Sequence, residues 1–376
     1  MDYRIAPGLI RDAILQYLNI MGTAKLRDIE TAVSARLGRA ASGSSVRSYL
    51  NLNTPELFER VERGKYRLSD SASSIDAVPR QLARIGESTL IQADCFSWLR
   101  DAAPHSVHAV VTDPPYGLVE YTELEQGKLR NGKGGVWRIP PSFDGHIRSP
   151  LPRFTTLSAG DREAMRDFYF ELGRLLLRVL VPGANVVVAS NTLLAHIVAS
   201  AMADSGLEVR GAIIRLVMTM RGGDRPKNAH VEFQGISVMP RSMFEPWVVL
   251  RTPIQGRVQD NLRKWGTGGF MRPSQDRPFG DVIKSGPTPQ SEKRIAPHPS
   301  LKPQAFLRTV VGAVLPLGVG TILDPFSGSG STLAAANAVG LKSVGLERDP
   351  NYFAMAVDAV PKLSKLRLKP VDPSVA

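Results

Sequence analysis

The chain has 376 residues, with 47 lysines and arginines against 35 aspartates and glutamates, a net charge of +12. That balance favours a polyanionic partner such as nucleic acid. Cys95 is the only cysteine, which excludes a disulfide framework and a cysteine-built metal centre, so no metal is expected. No apolar run approaches membrane-spanning length and no charged-then-apolar leader is visible, so the sequence reads as a soluble cytoplasmic protein without a membrane partner.

Residues 1–70 read as a separate unit. Ile14, Leu15, Leu18 and Met21 recur at helical spacing before Gly22, and Leu26, Ile29, Val33 and Leu37 mark a second helix before Gly38. The Ser42 to Ser45 stretch caps a third helix carrying Val46, Tyr49 and Leu50, and Phe58 to Leu68 alternates around Gly64 like a small hairpin. Three helices followed by a basic hairpin resemble a winged helix, with Arg47, Arg63, Lys65 and Arg67 as candidate DNA contacts. The competing reading is a winged helix used for protein contact. A polar stretch then makes residues 71–87 a linker.

Ser88 to Asp94 reads as a strand ending in an acid, followed by a short helix with Phe96, Trp98 and Leu99. Val107, Ala109, Val110 and Val111 form a buried strand leading into Asp113-Pro114-Pro115-Tyr116. At the carboxyl end of such a strand an open α/β sheet binds its ligands. Two prolines stiffen the turn and remove two N–H donors, leaving carbonyl acceptors and a carboxylate beside an aromatic ring. That set suits a planar ring with an exocyclic amino group, the acceptors taking both hydrogens while Tyr116 stacks. The plainer alternative is an ordinary Asp-Pro turn with Tyr116 packing at its rim.

Residues 118–160 read as an insertion rich in glycine, proline and basic side chains, including Arg130 and Lys133, placed to act as a DNA-recognition or lid segment. A helix through Met165 and Val179, a strand at Val186 to Ala189, a helix from Leu193 to Ala203 and an apolar run from Ala212 to Met218 continue a βα alternation. Residues 221–299 read as a second insertion interrupted by a strand at Trp247 to Leu250, with Arg263 and Lys264 as candidate phosphate contacts. After a further helix, the strand Thr321 to Asp324 opens into the glycine-rich turn Pro325-Phe326-Ser327-Gly328-Ser329-Gly330 and a helix near Ser331. A second strand ends in Glu347, placed to accept from ribose hydroxyls. No Gly-Lys-Thr/Ser follows, which argues against a phosphate-cradling loop and for a nucleoside ligand without pyrophosphate, such as S-adenosylmethionine.

Three segments in order, Asp113-Pro114-Pro115-Tyr116, His298-Pro299-Ser300-Leu301-Lys302-Pro303 and Asp324-Pro325-Phe326-Ser327-Gly328-Ser329-Gly330-Ser331, resemble the motifs of amino-methylating DNA methyltransferases in the permuted β-class arrangement. The resemblance covers roughly Leu90 to Ala359 and does not reach the N-terminal unit. It implies a doubly wound, circularly permuted, Rossmann-like seven-stranded α/β sheet over residues 88–360, followed by a basic tail at 361–376. It implies S-adenosylmethionine held by Asp94, Ser300, Lys302, Asp324, Phe326, Ser327, Gly328, Gly330 and Glu347, with Asp94 at the adenine end, Glu347 at the ribose, and Ser300 and Lys302 near the cofactor's carboxylate. Asp113, Pro114, Pro115 and Tyr116 become the catalytic set, acting on a base flipped from double-stranded DNA. An Asp in first place leans to adenine N6, with cytosine N4 as the alternative. RNA or protein methylation, and a DNA-binding regulator over an inactive core, stand as alternatives from other classes. Carbon-5 cytosine chemistry is excluded, because Cys95 lies outside any Pro-Cys pair. A homodimer and a cognate restriction endonuclease stay open as partners.

Overall fold

The computed structural model describes residues 9–36, 43–54, 57–69, 81–115, 159–217, 223, 225–226 and 228–368. It divides into two compact units, 1–81 and 82–376. Among the described residues no helix is long and apolar enough to cross a membrane, and no cluster of side chains suits a metal.

The first unit contains helices α1 (Leu9–Met21), α2 (Leu26–Arg36) and α3 (Gly43–Leu52). Its strands β1 (Thr23–Lys25), β2 (Phe58–Glu62) and β3 (Lys65–Leu68) form an antiparallel sheet in the order β1-β3-β2. The apolar positions that set the helical spacing, Ile14, Leu18, Ile29, Val33, Val46 and Leu50, meet Phe58 in a solvent-free core. Strand β1 is too short to show alternation in the sequence and forms through its pairing with β3, Thr23 opposite Arg67.

The second unit is built on nine strands ordered β10-β8-β9-β7-β6-β11-β12-β5-β4. In chain order these are β4 (Leu82–Ile85), β5 (Ser88–Gln92), β6 (Val107–Thr112), β7 (Leu180–Ala189), β8 (Glu208–Leu216), β9 (Phe244–Arg251), β10 (Val282–Lys284), β11 (Thr321–Asp324) and β12 (Lys342–Glu347). Strands β7, β6, β11, β12 and β5 are mutually parallel, and β9 runs against β7 and β8. The seven strands from β8 to β5 are the expected doubly wound sheet, and β10 and β4 extend its two edges.

Alternation along the central strands feeds two cores. Val186 and Val188 face helices α4 (Cys95–Asp101), α5 (Ala159–Val179) and α6 (Ala195–Asp204). Val187, Ala189, Ala109 and Val111 face α9 (Gln304–Val314) and α10 (Ser331–Ala338). A third cluster joins α10 to α11 (Pro350–Ser364) over Leu90 of β5. Between β9 and α9 lie two short helices, α7 (Val258–Trp265) and α8 (Gln290–Ile295).

Three boundaries differ from the sequence reading. The stretch expected as linker contains β4, which pairs antiparallel with β5 across a two-residue turn where Gly86 takes φ +60°. Residues 221–299 are not one insertion, because β9 within them is a buried interior strand, Val249 opposite Val187 and Trp247 opposite Ala189. The tail expected from 361 begins later, since α11 continues through Pro361 to Ser364. The expected insertion at 118–160 lies outside the described residues up to 158.

Candidate active site

Strand β6 ends at Thr112, where two consecutive prolines cannot continue a hydrogen-bonded ladder. By the alternation of Ala109 and Val111, Asp113 falls on the α9 side of the sheet. The neighbouring parallel strand is β11, with Leu323 opposite Val110. The two motif-bearing strands therefore finish side by side, and the Thr112 hydroxyl donates to Asp324 Oδ1 at 2.7 Å across 212 residues of sequence.

Asp113 is held by a chain of charges. Lys302, in the segment leading into α9, places Nζ 2.5 Å from Asp113 Oδ2 and 3.2 Å from Glu245 Oε1. Arg215 Nη1 donates to Glu245 Oε2 at 2.7 Å, and the same guanidinium donates to Ser285 Oγ and the Gly286 carbonyl at 3.1 and 2.8 Å. Arg215 and Glu245 stand directly opposite on β8 and β9, and both are buried, as is Lys302. Burial pushes the Lys302 ammonium down, but Asp113 and Glu245 outweigh it and raise its pKa, so it stays charged.

The glycine-rich turn is built on the neighbouring pair β11 and β12. Gly328 N–H donates to Glu347 Oε2 and Asp349 N–H to Oε1, both at 2.8 Å. Ser327 N–H donates to the Leu346 carbonyl at 2.9 Å, and Phe326 N–H to Asp324 Oδ1 at 3.1 Å. Gly330 caps α10 at φ +78°, and a Cβ there would meet Val360 Cγ2 at 2.3 Å, so glycine is required on both counts. Burial pushes the Asp324 carboxyl up to about 6 against the hydroxyls of Thr112 and Thr332, and burial raises Glu347 to about 7 against its two N–H donors.

Ala93 N–H bonds the Glu347 carbonyl at 3.0 Å, bringing the end of β5 to the end of β12. Asp94 there caps α4, accepting from Ser97 N–H at 2.9 Å. His298 lies against Gly328, its ring 4.5 Å from that of Tyr352. Burial and the Lys302 charge lower its pKa to about 4 and keep it neutral. Its Nδ1 accepts from Ser300 N–H at 3.2 Å, and Ser300 itself is exposed.

The structure thus gathers Asp113, Lys302, Asp324, Phe326, Ser327, Gly328, Gly330, Glu347 and Asp94 along one edge of the sheet. It puts the Lys302 ammonium on Asp113 and Glu245, where a place by the cofactor's carboxylate was expected. Tyr116, Arg130 and Lys133 lie outside the described residues. Arg263 and Lys264 occupy the last turn of α7, the first paired with Asp260 at 3.0 Å and the second with Gln255 Oε1 at 3.0 Å. In the N-terminal unit Arg47 pairs with Glu30 at 3.3 Å and Lys65 with Glu62 at 3.1 Å. Arg215 and Glu245 were not anticipated. Their signal is a charge at a core position of an alternating strand, Ile213-x-Arg215 and Glu245-x-Trp247-x-Val249.

A family profile described as DNA methylase, for N6 and N4 methyltransferases, matches residues 107–358, spanning the Asp113 turn, Lys302 and the Gly328 loop. The chain belongs to the DNA methylases. Two type II methyltransferases are similar to it. M2.LlaDCHI from Lactococcus lactis subsp. cremoris is 24% identical over 269 residues, covering 71% of this chain and 87% of that protein. M.HindIII from Haemophilus influenzae is 22% identical over 296 residues, covering 72% and 94%. Among solved structures, an M1.HpyAVI–SAM complex matches at TM-score 0.41 and 16% identity, covering 73% of this chain and 99% of that one. The cytosine-N4-specific PvuII DNA methyltransferase matches at TM-score 0.46 and 12% identity, covering 79% and 92%. This DNA methylase acts on an exocyclic amino nitrogen, N4 or N6, and S-adenosylmethionine is its cofactor. The donor set fits that group. Glu347 keeps a lone pair on each oxygen for ribose hydroxyls, and Gly328, free of a Cβ, leaves the backbone approachable beside neutral His298.

Proposed function

We propose that the enzyme is a site-specific adenine N6 methyltransferase acting on a base flipped out of double-stranded DNA. The observation that carries this reading is the Asp113-Pro114-Pro115 turn ending one strand beside the cofactor-type loop ending the next, the two joined by the Thr112–Asp324 hydrogen bond. S-adenosylmethionine, when bound, supplies a methyl group activated on a positively charged sulfur. Asp113 and the Pro114 carbonyl accept the two amino hydrogens, which draws the nitrogen towards tetrahedral geometry and localises its lone pair. Asp113 stabilises the positive charge that develops on that nitrogen. Tyr116, next in sequence, stacks on the base and offsets part of the flipping penalty by roughly 1–3 kcal/mol. Phe326, Ser327, Gly328, Gly330, Glu347, Asp324 and Asp94 hold the cofactor.

Adenine is favoured over cytosine by the aspartate in first place of the motif. DNA from cells expressing the protein, sequenced with modified bases identified, should carry N6-methyladenine in one short sequence context. N4-methylcytosine there would overturn the choice of base, and methylation confined to RNA or protein would overturn the substrate. We also read the N-terminal unit as a winged-helix-like DNA contact through Arg47 and Lys65. Their ion pairs are on the surface, where such pairs contribute about 0–1 kcal/mol, so phosphates can displace the acidic partners.

A further inference from the structure

Asp113, Lys302, Glu245 and Arg215 form one continuous line of alternating charge at the carboxyl edge of the sheet. Glu245 is its hinge, with one oxygen on Lys302 and the other on Arg215. Arg215 in turn is fixed by two further acceptors and lies 5.6 Å over the Phe306 ring, so it has no freedom to follow a moving partner. Stability does not account for this arrangement. Buried ion pairs pay a desolvation penalty that apolar side chains of similar size avoid, and the adjacent positions on this face, Ile213, Trp247 and Val249, are apolar.

We propose that Glu245, anchored by Arg215, is a positioning residue for Asp113, acting through Lys302. The inference rests on the reading of Asp113 as the acceptor for the target amino group. A carboxylate accepts amino hydrogens best when its charge is not consumed by a cation. Lys302 alone, at 2.5 Å, would take most of that charge. Glu245 draws the ammonium from the other side, dividing one positive charge between two carboxylates. Lys302 then fixes Asp113 Oδ2 in place while the carboxylate keeps enough charge to act on the base. Arg215 keeps Glu245 from rotating away. Two elements distant in sequence from the Asp113 turn, β8 and β9, thereby set the strength of the acceptor.

The test is a set of variants in the full-length protein, with kcat normalised to cofactor-binding sites titrated at equilibrium. Glu245→Gln should lower kcat on the order of 10–100-fold, with KM for DNA and cofactor affinity within about threefold of the parent. The double variant Lys302→Met, Glu245→Gln should lose far less than the product of the two single losses, because without the ammonium Glu245 has only Arg215 left to balance and no line to Asp113. Glu245→Asp keeps a charge against Arg215 and serves where Glu245→Gln does not fold; its shorter side chain should lower kcat about 3–10-fold at unchanged KM. A Glu245→Asp or Glu245→Gln enzyme with the parent's kcat overturns the proposal, as does a double variant whose loss is the product of the two single losses. Asp113→Ala, run alongside, separates the two levels: if it turns over normally, the reading of Asp113 itself has failed.

Discussion

The two ends of the active-site edge hold their carboxylates by opposite means. Asp113 is gripped by an ammonium that a second carboxylate shares. Asp324 and Glu347, one and two strands away, are gripped by hydroxyls and backbone N–H groups. Neutral donors do not repay the burial of a full charge, so these two acids titrate near 6 and 7. One end of the edge is built around a cation, and the other around acids that take up a proton near neutral pH.

That contrast breaks most sharply at Asp113. Asp113→Ala should lower methyl transfer by at least 10²–10³-fold, roughly the effect of losing one preorganised charge-stabilising group, while equilibrium titration finds cofactor affinity nearly unchanged. A parallel loss of cofactor affinity would mean that the two ends are not separable. At the other end, if Glu347 holds the ribose as proposed, its ionised form offers both oxygens, and cofactor affinity should rise between pH 6 and pH 8. One proton limits that rise to about tenfold, and Glu347→Gln should flatten it; calorimetric titration across this range measures both. Fold stability runs the other way. A carboxyl raised from 4.5 to about 7 stabilises the folded chain below its unfolded pKa, and this contribution is lost as pH rises through 7. Asp324→Asn keeps an acceptor for Thr112 and Phe326, so its turnover should stay within about tenfold of the parent, far from the loss at Asp113. The smallest effect belongs to Thr112→Val, which removes one donor from Asp324 and should destabilise the unit by about 1 kcal/mol in denaturant melts.

Much of this site was legible because its parts are local. A strand that runs into two prolines, and a strand that opens into Gly328 and Gly330, announce themselves within a dozen residues. So did the helical spacing of Ile14 and Leu18. The rest depends on pairing. Strands β1 and β10 have three residues each, too few for a period, and exist because a longer strand recruits them. Glu245 precedes an obvious strand, but its meaning comes from Arg215, 30 residues earlier, and Lys302, on another element. The sequence marks a charge among core positions without marking its partner.

The position of β11 has a consequence for how the molecule assembles. It lies at the middle of the sheet, between β6 and β12, yet it and β12 are the last strands in the chain. Until residue 321 has been synthesised, the strands of this sheet already made can form only two separate fragments, β4 with β5 and the group from β6 to β10, each with a bare edge. Closing that gap requires pairings over more than two hundred residues, the kind of long-range contact that slows folding and leaves unpaired edges open to aggregation. The pairing of β11 with β6 is also the one that brings Asp324 to Thr112, so the candidate site needs both strands in place.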